Sequence, residues 1–177
     1  MLIMNMGYPI GKFTFEGEIS QAQRASWIRD IEELPSKLRE AAQGLSEDQM
    51  DIPYRDGGWT IRQVVHHVAD SHMNSYIRFK LALTEENPAI KPYYEDRWAN
   101  LQDSLTGDIE LSLSLLEALH KRWVIVLNSM SESDYKREFY HPESKKSSRL
   151  DYTLGVYAWH GKHHTAHITS LRGRLNI

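Results

Sequence analysis

Apolar side chains return at three- and four-residue spacing in four separate stretches of this 177-residue chain, each closed by Pro, Gly or polar residues. That spacing is the period of an α-helix, whose apolar stripe must be buried against another element. The first stretch begins near Ser20, runs through Trp27, Ile28, Ile31, Leu34, Leu38 and Ala41, and stops at Gly44. Pro35 lies inside it and predicts a kink. The second opens at Thr60 with Gln63 three residues on, the pattern of a capping box, and continues to about Glu86, where Asn87-Pro88 ends it. The third follows a possible cap at Asp108 and carries Ile109, Leu113, Leu116, Leu119, Trp123, Val126 and Leu127. The fourth starts near Asp151 and runs to about Arg172, ending with Gly173.

The connections are polar. Residues 1–17, with Gly7, Pro9, Gly11 and Gly17, read as an extended arm; Ser46–Met50 as a short turn; Ile52–Trp59 as a Pro/Gly loop; Pro88–Trp98 and Asp103–Gly107 as linkers; Ser131–Arg149 as a loop with a helical turn at Ser131–Tyr135. None has the apolar content of a buried strand, so the expected fold is all-α, a four-helix bundle with an extended N-terminal arm and long loops, formed by residues 1–177 as a single domain.

The longest apolar run is Trp123–Leu127, far short of the ~20 residues that span a bilayer. Met1–Ile10 has neither the basic residues nor the apolar stretch of a secretory signal, so a cytoplasmic location is expected. Lys and Arg number 21 against 24 Asp and Glu, a formal charge of -3, which gives no positive field for nucleic acid. Cysteine is absent, which removes disulfides, thiolate ligands and a cysteine nucleophile.

Histidine is abundant and clustered: of nine, three fall in Val65–Met73 and four in Trp159–Ile168. His160 and His164 stand one helical turn apart on one face, so two imidazoles reach a common point, and Tyr157, Gly161, Ile168 and Leu171 put that face toward the interior. Polar neighbours could satisfy such a pair, and so could a metal ion. The second helix offers a third ligand, either His66 or His67. His67 lies at the edge of the apolar stripe and is the better choice, whereas His66 points further round toward solvent. His72 falls within the stripe and reads as a hydrogen-bonded core residue, His120 and His141 read as surface positions, and His163 and His167 flank the pair as candidate supporting donors. Asp70, one turn after His67, is a candidate proton acceptor or orienting carboxylate, and Arg78 could meet an anionic substrate group. No G-x-G-x-x-G, P-loop, G-x-S-x-G or H-E-x-x-H occurs.

The segment Trp59-Thr-x-Arg-Gln-Val-Val-His-His67, with the late Trp159-His160-x-x-x-His164-x-x-x-Ile168, resembles the DinB-like metal-binding four-helix bundles. The YfiT-type subgroup, metal-dependent hydrolases also linked to transfer of the thiol bacillithiol, is the best match. The resemblance extends through Tyr8-Pro9-Ile10-Gly11, Pro53–Trp59 and Ala69–Asn74. It implies His67, His160 and His164 as ligands of one divalent ion per chain, zinc or nickel, and a homodimer. Where the wider family often has Gln, three residues after the last ligand, this chain has His167.

Three functions fit such a site. Three histidines with an open position suit a hydrolase acting on a small molecule. The same site could hold a low-molecular-weight thiol for S-transfer, or the metal could be structural, which would call for a fourth ligand from His163 or His167.

Overall fold

The computed structural model describes residues 5–177. Helix α1 (Gln21–Ala42) starts at Ser20, whose hydroxyl oxygen accepts from the Gln23 amide. A one-turn α2 (Glu47–Met50) follows, then α3 (Ile61–Thr84). Two short helices, α4 (Glu95–Trp98) and α5 (Gln102–Thr106), interrupt the way to α6 (Ile109–Ser129), which Asp108 caps as expected. After α7 (Glu132–Tyr135) comes a hairpin of β1 (Glu138–His141) and β2 (Lys146–Arg149), leading into α8 (Leu150–Leu175). Among the described residues no helix is long and apolar enough to cross a membrane.

Two sequence expectations need correction. Ser131–Arg149 is not simply a loop: its second half pairs as an antiparallel ladder from Glu138 opposite Arg149 to His141 opposite Lys146. The ladder buries only Phe139, so four-residue strands of polar composition leave almost no alternation to read. Arg137 anchors its start by donating to the Ala82 and Glu85 carbonyls at the end of α3. The last helix also passes Gly173 and ends only at Asn176, which takes a left-handed φ of 55°. Helix α1 runs on through Pro35.

Each long helix has two principal neighbours. Helix α1 packs on α6 and α8, and α3 packs on the same two. Consecutive long helices α1 and α3 thus face each other diagonally, as do α6 and α8, which is why the chain needs long connections across the bundle ends. The core divides into two apolar clusters. One gathers Trp27, Ile31, Phe79, Trp123, Leu127 and Leu154; the other gathers Leu34, Leu38, Val64, Val68, Leu116 and Ile168. At the level between them each of α3, α6 and α8 contributes histidine, which makes a polar layer inside an otherwise apolar bundle.

Two glycines let α8 come close to α1. A Cβ on Gly155 would stand 2.8 Å from Trp27 and Phe13 atoms, and one on Gly161 would stand 2.5 Å from a Leu34 methyl. Gly161 lies beside His160, so this close approach sets the depth at which the histidine face of α8 sits.

Candidate metal centre

Local structure fixes where α3 begins and hence where His67 points. Thr60 and Gln63 form the expected capping box: the Gln63 amide donates to Thr60 Oγ1 at 3.1 Å and the Thr60 amide to Gln63 Oε1 at 2.9 Å. Gln63 also donates to the Ala99 carbonyl, tying the helix start to the connection beyond α4. Just before the cap, the Trp59 ring packs on the His67 imidazole with centroids 4.5 Å apart.

His67, His160 and His164 converge, each offering a nitrogen within 4.8 Å of the others. His67 Nε2 and His160 Nε2 are 3.3 Å apart. Two nitrogens bound to a tetrahedral zinc at about 2.05 Å would stand about 3.3 Å from each other, so this spacing is that of a coordination edge. His160 and His164 sit edge to face with centroids 4.4 Å apart. Burial holds all three imidazoles neutral, His67 down to about 4 and the other two well below their usual range, with neighbouring histidines adding to the effect. Neutral imidazole is the form that binds a metal, so the donor set fits a borderline-soft divalent ion.

A second group, His163, His164 and His167, also meets the distance criterion for a metal. His167 places Nδ1 3.3 Å from His164 Nδ1 and Nε2 3.3 Å from the Gly7 carbonyl. It therefore stands behind His164. His163 stacks on Trp159 with centroids 4.4 Å apart, and its buried Nδ1 has no partner.

The remaining candidates divide. His72 is a hydrogen-bonded core residue, bonded to both His120 and His160. His141 lies half-exposed on β1. His120 is not a surface residue: it is 1% exposed and bonded to the Ile31 carbonyl, because α1 packs over that face of α6. Nor does His66 face solvent. It is buried between Ser112, which lies 2.7 Å from Nδ1, and the Gly107 carbonyl, since α5 and α6 cover the side of α3 that periodicity alone leaves open.

Beside His160 lies a cavity of about 1020 Å³, walled by α3, the connection carrying α4, the hairpin and α8. Ser71, Arg78, Tyr93, Arg149 and Tyr157 line it together with His160. Burial keeps the Tyr93 hydroxyl protonated by pushing its pKa far up. Asp70, half-buried one turn from His67, has its carboxyl pushed up to about 6 by burial, with Asp103 adding to the shift.

A helical bundle in which three histidines converge, one of them lining a cavity, is the class of fold and site seen here, and the chain belongs to the DinB superfamily, whose family model matches residues 30–168. Among its relatives is "Putative metal-dependent hydrolase YfiT" of Bacillus subtilis (strain 168), 53% identical over 175 residues covering 99% of this chain and 98% of that protein. A Bacillus mycoides (strain KBAB4) protein, also named "Putative metal-dependent hydrolase", is 56% identical over 172 residues, covering 97% of this chain and 98% of that protein. The solved structure of Bacillus subtilis YfiT, described as having an unusual four-helix bundle topology, matches with a TM-score of 0.95 over 97% of this chain and 98% of that one. A mycothiol-dependent maleylpyruvate isomerase matches at a TM-score of 0.63 with 16% identity, over 80% of this chain and 59% of that one, a likeness of fold alone.

Proposed function

We propose that the protein is a hydrolase that holds one divalent ion, zinc or nickel, through His67, His160 and His164 and acts on a small molecule taken into the cavity beside His160. The observation that carries this reading is the convergence of three neutral imidazoles, with His67 Nε2 and His160 Nε2 3.3 Å apart, the spacing of a coordination edge. The names of the close relatives support the same class of activity. When bound, the ion supplies Lewis acidity, polarising the bond to be cleaved and lowering the pKa of water at its open position.

The chain's own groups do the rest. Asp70, with a carboxyl near 6, is ionised at neutral pH and accepts a proton from the attacking water. Tyr93, its hydroxyl kept protonated by burial, and Ser71 line the cavity as polar groups for the substrate, and Arg78 presents a cation to an anionic part of it. No fourth His, Cys, Asp or Glu completes the group of His67, His160 and His164 among the described residues, which favours an open site over a structural one.

The test is to offer the metal-loaded protein a panel of small esters and amides with and without a small thiol. Turnover without thiol is expected, rising with pH through about 6 and losing that limb in Asp70→Asn. Turnover only with thiol would replace hydrolysis by S-transfer. Unchanged metal content in both His160→Ala and His164→Ala would remove the site itself.

A further inference from the structure

Proline has no amide hydrogen, so inside α1 the carbonyl four residues before Pro35 lacks its helical donor. That carbonyl belongs to Ile31, which is wholly buried, and His120 fills the gap: its Nδ1 lies 2.5 Å from Ile31 O. A carbonyl only accepts, so the proton is on His120 Nδ1. A neutral imidazole carries one proton, which leaves His120 Nε2 as an acceptor. His72 Nδ1 stands 3.0 Å from it and must donate. His72 Nε2 is then bare, and His160 Nδ1, at 3.1 Å, must donate to it. The series ends with His160 Nε2 free of hydrogen, the atom that faces His67.

A second series runs the same way from another carbonyl. Gly7 O accepts from His167 Nε2, so His167 Nδ1 accepts from His164 Nδ1, and His164 Nε2 is left bare. None of these rings hydrogen-bonds to a carboxylate, and at His120 desolvation outweighs the hydrogen bond to the Ile31 carbonyl and holds the ring down to about 4.

We propose that His120 with His72, and His167 separately, are positioning residues whose carbonyl-anchored hydrogen-bond chains fix the tautomers of His160 and His164, presenting each Nε2 lone pair to the metal before it arrives. In the affinity it predicts, the proposal rests on the three-histidine reading above; in the tautomers it predicts, it stands without metal. The orphan carbonyl made by Pro35 on α1 is thus the starting point from which a ligand on α8 receives its orientation, through His120 on α6 and His72 on α3.

The experiment is nitrogen-15 NMR of the histidine rings in metal-stripped full-length protein near pH 7.5, paired with zinc affinity by chelator competition. The Nδ1–H tautomer is expected for His120, His72, His160 and His164, and Nε2–H for His167. His120→Phe keeps a ring in place but removes both nitrogens; His160 is then expected to shift toward the Nε2–H form, and zinc affinity to fall about 10–100-fold. A predominantly Nε2–H His160 in the wild-type protein overturns the proposal even if the variant fails to fold. So does a folded His120→Phe protein with an unchanged His160 tautomer and unchanged affinity. Wild-type protein with the expected tautomers but no zinc binding would leave the hydrogen-bond chains in place and refute the metal site instead.

Discussion

Placing a methyl group on Gly161 tests how closely α1 and α8 are packed. The added carbon would stand 2.5 Å from Leu34 Cδ2, 2.8 Å from Cδ1 and 3.1 Å from Cγ. Ordinary carbon contacts lie at about 3.5–4.0 Å, so three atoms of one side chain overlap it at once. Leu34 is 4% exposed within its apolar cluster and has little room to turn away. Overpacking of this kind costs about 1–3 kcal/mol, while alanine in place of glycine inside a helix returns about 1 kcal/mol. With three overlaps the first effect lies near its upper end, and Gly161→Ala should lose about 1–2 kcal/mol net. At about 2–4 °C per kcal/mol for a chain of this size, Tm falls by about 2–8 °C. Urea unfolding of the metal-stripped protein measures it. The decisive arm adds Leu34→Ala, which alone costs about 2–5 kcal/mol but also vacates the space the methyl needs. The two losses should then fall short of their sum by about 1 kcal/mol or more. A more stable Gly161→Ala protein, or strictly additive losses, would refute the close approach.

Thr60→Ala should cost about 0.5–2 kcal/mol through loss of the cap on α3, read by the same urea unfolding. Acid should destabilise the metal-free protein. His120 is held at about 4 in the fold against 6.5 unfolded, so the unfolded chain binds more protons between those values; the stability is whole above about 6.5 and is lost as pH falls toward 4, by up to about 1.4 kcal/mol per unit for each such ring. His66, lowered by burial too, adds in the same direction, and a flat urea midpoint across that range would contradict both. Zinc at a hundred times its dissociation constant should raise stability by about 2.7 kcal/mol, seen as a Tm increase that a chelator reverses and that His164→Ala abolishes.

The long helices were readable because period and caps agree: Ser20, Thr60 and Asp108 all act as the sequence suggests. The convergence of His67, His160 and His164 was readable because one-turn spacing on α8 and a stripe edge on α3 bring these rings together wherever the two helices pack. His120 was misread although it stands four residues after Leu116 and three before Trp123, on the stripe itself. Treating it as solitary missed that Pro35 leaves a carbonyl in need of a donor. His66 was misread for a different reason: which flank of α3 is covered depends on how the chain crosses the bundle ends, and periodicity carries no information about that. The β-hairpin left a single buried aromatic as its mark.

The arm that precedes α1 has a consequence for how the protein comes into being. Gly7 braces His167 and Gly11 accepts from the Trp159 indole, contacts that join positions 160 and 148 residues apart. At about 5–20 residues per second of synthesis, the arm waits roughly 8–30 s for its partner helix, the 160 residues between Gly7 and His167 having first to be made. The histidine cluster therefore cannot assemble on the growing chain while α8 is still inside the ribosome, and any ion it takes up is acquired only after α8 has emerged.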